Sequence, residues 1–167
     1  MAKAKRKAPA RGKMDALKLL KEDHDKVKKA FKKFEKMDHE SNAAQQLAAQ
    51  TIADIKLHAA IEEEIFYPAV REAIDDEDLM NEAQVEHETA KMLIEQLENM
   101  GADDPNFHAT FTVLGEYVNH HVEEEEGEMF PQAKKTDLDF EELGQRMKQR
   151  KEELMGQMQE TEEKEES

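Results

Sequence analysis

The sequence predicts an all-α protein: an up-down four-helix bundle with internal two-hairpin pseudo-symmetry, plus a short C-terminal helix. Three observations predict this fold. The composition is rich in Ala, Glu, Lys, Leu, Gln and Met, with only four prolines and six glycines in 167 residues. Apolar residues recur at intervals of three and four, as on one face of a helix. The same pattern occurs twice, 63 residues apart.

Composition and charge exclude several classes of protein. The chain has 24 Lys+Arg against 40 Asp+Glu, a net charge of −16, and no cysteine. The lack of cysteine excludes disulfides, thiolate-bound iron–sulfur clusters and thiol nucleophiles. No apolar run approaches the roughly 18–20 residues that span a bilayer, and the N-terminus lacks a secretory pattern. We therefore expect a cytoplasmic protein with no membrane partner.

Charge is unevenly distributed along the chain. Residues 1–13 contain six basic residues and no acidic one, which predicts a disordered basic tail. This tail is the only candidate for a nucleic-acid contact, and attraction to the acidic remainder of the chain is the favoured interpretation. Residues 14–135 are expected to form the bundle, residues 136–158 a C-terminal helix and residues 159–167 an acidic disordered tail. We expect a monomer.

Start and stop signals mark the four bundle helices in order. The first is expected over about 15–38. The second begins after Ser41, a good N-cap, and reaches about residue 67, where Pro68 interrupts the pattern. The third covers about 79–99, before Gly101, and the fourth runs from near Pro105 to about 126. A weaker amphipathic pattern over about 137–158 predicts the C-terminal helix, with its first half docked on the bundle.

A repeat of 63 residues relates the two hairpins. Four pairs match in residue type: His24 with His87, His58 with His121, Glu62 with Glu125, and Pro68 with Pro131. Each hairpin thus has one histidine on its first helix and a His-x-x-x-Glu pair on its second. Residues four apart share a helix face, so all six histidines and glutamates are expected to face the interior.

Six inward polar groups predict a metal site. Burying an unpaired polar group costs about 2–7 kcal/mol, and imidazoles and carboxylates around two divalent ions would avoid that cost. Any one of the histidines alone is better explained as a hydrogen-bonded core residue. Their repeat symmetry favours metal ligation, and the predicted ligands are His24, His58, Glu62, His87, His121 and Glu125. Without metal, burial and like charge are expected to raise the pKa values of both glutamates.

The arrangement resembles the hemerythrin-like HHE cation-binding family over about residues 15–135. Two motifs carry the resemblance, HAAIEEEIFYP at 58–68 and HHVEEEEGEMFP at 120–131, together with DH at 23–24 and VEHE at 85–88. The resemblance implies two non-haem iron ions, Fe²⁺ or Fe³⁺, with carboxylate and oxo or hydroxo bridges. It also implies that His24, His58, His87 and His121 are terminal ligands, and that Glu62 and Glu125 are bridges.

Two departures from the oxygen-carrying members affect the expected chemistry. Those members have a His-x-x-x-His pair on the third helix, whereas Ala83 precedes His87 by four residues here, and the repeat mate of Ala83 is Leu20. Open iron positions would therefore remain near Ala83 and Leu20, which favours redox chemistry over simple carriage. The carriers also have His-x-x-x-x-Asp on the fourth helix, but the repeat favours the pairing of His121 with Glu125. The competing ferritin-like design needs Glu-x-x-His, which the sequence lacks.

The remaining polar residues near the motifs are interpreted as supporting or surface groups. We expect surface or supporting positions for His39, His108 and His120. Tyr117 is expected to be a core residue, or alternatively a hydrogen-bond donor to the site. A solvated acidic face is expected for Glu63, Glu64, Glu124 and Glu126.

Two functions from different classes are consistent with the sequence. The first is a di-iron protein that binds or senses oxygen or a related ligand such as nitric oxide. The second is a di-iron redox protein that acts on peroxide, nitric oxide or iron. A third interpretation is an interaction protein that works through its basic tail. The sequence does not decide whether the protein is an enzyme, because redox behaviour depends on the groups that surround the ligands.

Overall fold

The structure, a computed structural model, describes residues 15–101 and 103–166, and all regular structure in them is helical. The predicted all-α class is confirmed. The elements in chain order are α1 (Ala16–Glu35), α2 (Asn42–Ile61), the π-helical turn π1 (Glu62–Phe66), α3 (Tyr67–Ala73), α4 (Glu77–Asn99), α5 (Phe107–Glu124), the π-helical turn π2 (Glu125–Met129), α6 (Phe130–Lys134) and α7 (Phe140–Glu166). The basic tail predicted over residues 1–13 lies outside the described residues.

Side-chain caps set the starts of three of the four bundle helices. Asp15 accepts a hydrogen bond from the Lys18 N–H at 2.9 Å, and so begins α1. The predicted Ser41 cap is confirmed, because its hydroxyl accepts from the Ala44 N–H at 3.1 Å. Asp76 caps α4 in the same way through Leu79. α4 therefore starts two residues earlier than its apolar stripe indicated.

The four long helices form the predicted bundle. α1 packs against α2, and α4 packs against α5, which gives two hairpins. The hairpins associate through contacts of α1 with α5 and of α2 with α4. No helix in the described ranges is long and apolar enough to cross a membrane.

The interior has an apolar cluster at each end and a polar layer between them. One cluster contains Leu17, Leu20 and Met80, and the other contains Phe31 and Phe111. Along α1, His24 lies between these two sets, so one helix face contributes to both clusters and to the layer. The polar layer comprises His24, His58, Glu62, His87, His121 and Glu125.

The C-terminal helix is longer than the sequence indicated. α7 buries Leu143 and Met147 on the side of α1 and α2, and Lys151 donates to Asp23 at 2.5 Å. Residues 159–166, which the acidic composition predicts to be unstructured, are exposed and helical. Glutamate, glutamine and lysine are good helix formers, so acidic composition alone does not end a helix that is already docked.

Close packing of Gly115 against Phe31 gives a test of the α1–α5 contact. A Cβ at position 115 would lie 2.9 Å from Cδ1 of the buried Phe31 ring. We expect Gly115→Ala to lower the free energy of unfolding by about 1–3 kcal/mol, because the ring must shift. Gly156→Ala is the matched control: nothing lies within 4 Å of its Cβ position, and alanine there should stabilise α7 by about 0.5–1 kcal/mol. Urea unfolding midpoints measure both, and equal midpoints would contradict the packing.

Candidate metal centre

The structure brings all six predicted site residues together. Their ligand atoms form two groups, and within each group the atoms lie within 4.8 Å of one another. The first group is His24, His58, Glu62 and Glu125, and the second is Glu62, His87 and His121. We call these groups the first and the second half-site. Glu62 belongs to both, which is the position a bridging carboxylate needs.

The imidazoles point their Nε2 atoms at each other and at the two glutamates. The Nε2 atoms of His24 and His58 are 3.1 Å apart, and those of His87 and His121 are 3.3 Å apart. Two N–H groups cannot face each other at such distances, so at least one Nε2 in each pair has a free lone pair. His58 Nε2 lies 3.0 Å from Glu62 Oε1. These separations are typical of ligands that share an ion.

Buried carboxylate oxygens at the centre of this layer have histidine Nε2 atoms as ion-pair neighbours but make no hydrogen bond. Glu62 is 0% exposed and Glu125 is 1% exposed. Among the described residues, neither oxygen of Glu62 makes a hydrogen bond, and neither does Oε1 of Glu125. A buried charge is costly unless it is paired or coordinates a metal. The residues present therefore fit a cation, because free imidazole lone pairs and unpaired carboxylate oxygens converge on the same space.

Four further carboxylates hold the outer nitrogens of the histidines. Asp23 lies 2.9 Å from His58 Nδ1, and its repeat mate Glu86 lies 3.1 Å from His121 Nδ1. Glu126 lies 3.0 Å from His24 Nδ1, and its repeat mate Glu63 lies 3.3 Å from His87 Nδ1. We call Asp23, Glu63, Glu86 and Glu126 the outer carboxylates. An Nδ1–H bonded to a carboxylate fixes the tautomer and leaves Nε2 available for a metal.

Glu63 and Glu126 are partly exposed, as expected for a solvated face, with side-chain exposures of 35% and 30%, but they also have a second role. Both contact histidines of the polar layer from the π turns that follow α2 and α5. Asp23 and Glu86 were not identified from the sequence, although they obey the same 63-residue repeat as the histidines that follow them. The 63-residue repeat pairs Asp23 with Glu86 and Glu63 with Glu126, so it was the signal in the sequence that could have identified all four.

Two π-helical turns follow the buried glutamates and carry the next inward residues. The Tyr67 N–H bonds to the carbonyl of Glu62, and the Phe130 N–H bonds to that of Glu125, five residues back instead of four. In an α-helix, a residue five positions further on lies about 140° around the axis. The wider π turn returns that residue towards the glutamate's face, and such turns are frequent at functional sites.

Tyr67 contacts the second half-site, a role that sequence reasoning missed. Its hydroxyl donates to Glu125 Oε2 at 2.6 Å and lies 3.0 Å from His87 Nε2 and 2.9 Å from His121 Nε2. The repeat mate of Tyr67 is Phe130, whose ring stacks on His24 at 6.3 Å between centroids. The two half-sites therefore differ in one polar group.

The apolar cluster beside Tyr67 and Phe130 contains both positions that depart from the carrier pattern. Leu20 and Ala83 are buried in that cluster. Tyr67 and Phe130 thus lie at the same end of the site as Leu20 and Ala83, the positions near which the sequence predicts open coordination positions.

The electrostatics of the site favour charged histidines when no metal balances the glutamates. Burial lowers the pKa of His58, but the charge of Glu62 and the hydrogen bond to Asp23 outweigh it and raise that pKa to about 10. Burial also opposes the charged form of His121, yet Glu125 and Glu86 hold its pKa well above the usual value.

The expectation of a raised pKa for Glu62 was wrong. Burial does act in that direction, but the positive charge on His58 outweighs it and holds the pKa of Glu62 well below its usual value. Burial and the charge of Glu125 raise the pKa of Tyr67, so its hydroxyl keeps its proton and donates it.

The other predicted positions lie outside the half-sites. His120 is 61% exposed and lies 3.1 Å from Glu124, as expected for a surface residue. His39 and His108 stack on each other beyond Phe34, with ring centroids 3.7 Å apart. Tyr117 is 45% exposed, so its interpretation as a core residue was wrong.

Comparison with known proteins identifies the family. The Hemerythrin HHE cation binding domain family matches residues 15–133. The chain belongs to the hemerythrin HHE cation-binding domain family. A crystal structure of an HHE cation-binding domain-containing protein from Mycobacterium kansasii has the same fold, with a TM-score of 0.75 and 24% identity over 86% of this chain and 89% of that one.

A curated relative is much longer than this chain. A DNA nickase of Nostoc sp. (strain PCC 7120) is 30% identical over 112 residues, which are 67% of this chain. The match spans 31% of the nickase, so the chain corresponds to under a third of that relative's length.

The charges of the polar layer predict a pH dependence of stability. Because the folded pKa of His58 is raised to about 10, its contribution is complete below the unfolded pKa of about 6.5 and is lost as pH rises towards 10. The lowered pKa of Glu62 contributes stability above about 4.5 that is lost as pH falls. We expect the chelator-treated protein to show a falling Tm between pH 6.5 and 10. A Tm that rises over this range would contradict the assignment of charges.

Proposed function

We propose that this HHE domain holds two non-haem iron ions in the polar layer and uses them to bind or sense oxygen or a related small ligand. The observation that carries the proposal is the set of unpartnered oxygens on Glu62 and Glu125, which face four histidine Nε2 atoms. His24 and His58 would hold one ion, and His87 and His121 the other. Glu62 and Glu125 would bridge the two ions. Bound iron would supply reversible coordination of the ligand and electrons for redox change.

The charge around the polar layer supports two divalent ions. Two buried glutamates and four outer carboxylates surround four imidazoles that are neutral when they bind metal. Lys151 pairs with Asp23, and Lys91 pairs with Glu63. Four negative charges remain, the number that two divalent cations neutralise. Iron in particular is supported by the family resemblance and by the mixture of imidazole and carboxylate donors.

A redox role is the alternative, and the small number of imidazoles favours it. Each half-site has two histidines, and the remaining donors are shared carboxylates. Coordination positions would therefore remain for peroxide, nitric oxide or water. Tyr67 could hold a proton near a ligand bound at the second half-site, because its hydroxyl already lies within 3.0 Å of both histidines there.

Action on DNA is not part of the proposal. The resemblance to the nickase covers less than a third of that protein, and a net charge of −16 repels phosphate.

Metal analysis of histidine variants tests the site. We expect about two iron ions per chain in the parent. His58→Ala and His121→Ala should each lose most of the iron, because removal of a ligand should exceed the roughly 10–100-fold loss of affinity caused by removal of a supporting group. His120→Ala is the control, since this histidine adjoins His121 but is exposed. Full iron content in both ligand variants would refute the assignment. Loss in His120→Ala alone would favour a pairing of His120 with Glu125, the His-x-x-x-x-acid spacing of the carriers, instead.

Tyr67→Phe tests whether the half-sites differ. The change copies the repeat mate Phe130 and removes a donor from Glu125 without opening a large space. We expect one of the two ions to bind about 10–100-fold more weakly while the other is unaffected, so that metal titration becomes biphasic. Tyr117→Phe removes a half-exposed hydroxyl and should leave the titration unchanged. If both variants titrate like the parent, the tyrosine has no role at the metal.

A further inference from the structure

A cavity of about 420 Å³ adjoins the polar layer on one side. One end is formed by His58, His87 and His121, and the walls beyond them are apolar, with Val27, Ile94 and Val118 among their residues. An apolar cavity of about 150 Å³ is enough to hold benzene. The volume is therefore far larger than oxygen, nitric oxide or peroxide needs, and it falls within the range of small-molecule sites.

The cavity opens between α2 and α4, because the repeat has smaller side chains there. Three repeat pairs show the difference: Ala59 against Val122, Ala90 against Val27, and Ile94 against Phe31. In each pair the smaller residue lies on α2 or α4, and the larger on α5 or α1. Two pairs differ in the opposite sense: Ile55 with Val118, by a single methylene, and Ile52, which does not line the cavity, with Gly115.

The equivalent space between α1 and α5 is filled. The Phe31 ring packs on Gly115 and lies 4.7 Å from the ring of Phe111, centroid to centroid. The two openings that pseudo-symmetry would create are thus reduced to one.

Exposed ion pairs, not packed side chains, span the open side. Lys56 of α2 pairs with Glu98 of α4 at 3.1 Å, and both residues are about half exposed. Lys91 of α4 pairs with Glu63 of π1. Exposed ion pairs of this kind contribute only about 0–1 kcal/mol, so they part easily. A molecule from solvent can therefore pass between α2 and α4 to the polar layer.

We propose that the cavity binds a small, apolar organic molecule that carries one terminal oxygen donor. The apolar body occupies the space among Val27, Ile94 and Val118, and the oxygen faces the histidine end. The oxygen's role rests on the proposed metal function, whereas binding of the apolar body does not. This occupant distinguishes the site from one built for diatomic ligands alone.

The experiment uses the full chain and three probes. Toluene reports the cavity alone, benzoate reports the cavity together with an oxygen donor, and acetate reports the donor alone. We expect toluene to bind with or without iron, as measured by ligand-observed NMR. Benzoate should bind to the iron-loaded protein at least about tenfold more tightly than acetate, because burial of the ring adds favourable free energy.

Two variants fill the cavity with the side chains of its closed counterpart. Ile94→Phe copies Phe31, and the milder Ala59→Val copies Val122. Both variants should weaken the binding of toluene and benzoate by about tenfold or more. The affinity for acetate and the iron content should stay unchanged. Met92→Phe is the control, since Met92 lies on the same helix and is 60% exposed. Ala59→Val remains informative if Ile94→Phe does not fold.

The outcomes separate this inference from the metal proposal. If iron binds but toluene does not, or if benzoate is no tighter than acetate, the inference is wrong and the metal site stands. If toluene binds and is lost in the filled variants while no iron binds, the cavity stands and the proposed function fails. If the filled variants keep both organic probes at parental affinity, the molecules bind elsewhere and the inference is overturned.

Discussion

The burial of two glutamates in a helical bundle is the constraint on which the rest of the structure depends. Glu62 and Glu125 are almost completely inaccessible to solvent, and three of their four oxygens lack hydrogen bonds among the described residues. Such groups require positive charge nearby. The four histidines face them through Nε2, and the Nδ1 atom of each histidine contacts an outer carboxylate. Layers of acid, imidazole and acid follow one another around this centre, and they suit a bound cation or, without one, charged histidines, which explains why the helix faces change from apolar to polar at the same level.

The pseudo-symmetry of the two hairpins extends to the ligands but not to their surroundings. The repeat preserves each histidine and glutamate of the polar layer in type and each outer carboxylate in charge. It places Tyr67 at the second half-site and Phe130 at the first. It also opens the α2–α4 side and closes the α1–α5 side. Two ions held by equivalent ligands would therefore have different neighbours. Such a difference would allow one ion to bind a ligand while the other keeps only its protein ligands.

The bundle and the six residues of the polar layer could be predicted because both depend on helical period and on the 63-residue repeat. What could not be predicted depends on departures from the ideal α-helix. Tyr67 lies five residues after Glu62, a spacing that points away from the site unless a π turn intervenes. The outer carboxylates follow the repeat, but Glu63 and Glu126 are also partly exposed, and surface glutamates are so common that the sequence does not reveal their contacts with the histidines. The cavity depends on three differences in side-chain size between repeat mates, and the sequence alone does not show that these residues surround the same space.

Two lysines that contact the outer carboxylates make the net charges of the two half-sites equal, although the packing around the half-sites differs. Lys151 of α7 pairs with Asp23 behind His58, and Lys91 of α4 pairs with Glu63 behind His87. Within the described residues, Glu126 behind His24 and Glu86 behind His121 have no lysine or arginine partner. Each half-site thus has one neutralised and one unneutralised outer carboxylate, although the lysines come from different elements. With one buried glutamate assigned to each, both half-sites carry two negative charges, the number that one divalent cation balances. If two ions bind as proposed, a difference between them should therefore come from Tyr67 and the cavity rather than from net charge. α7 contributes to this balance through Lys151.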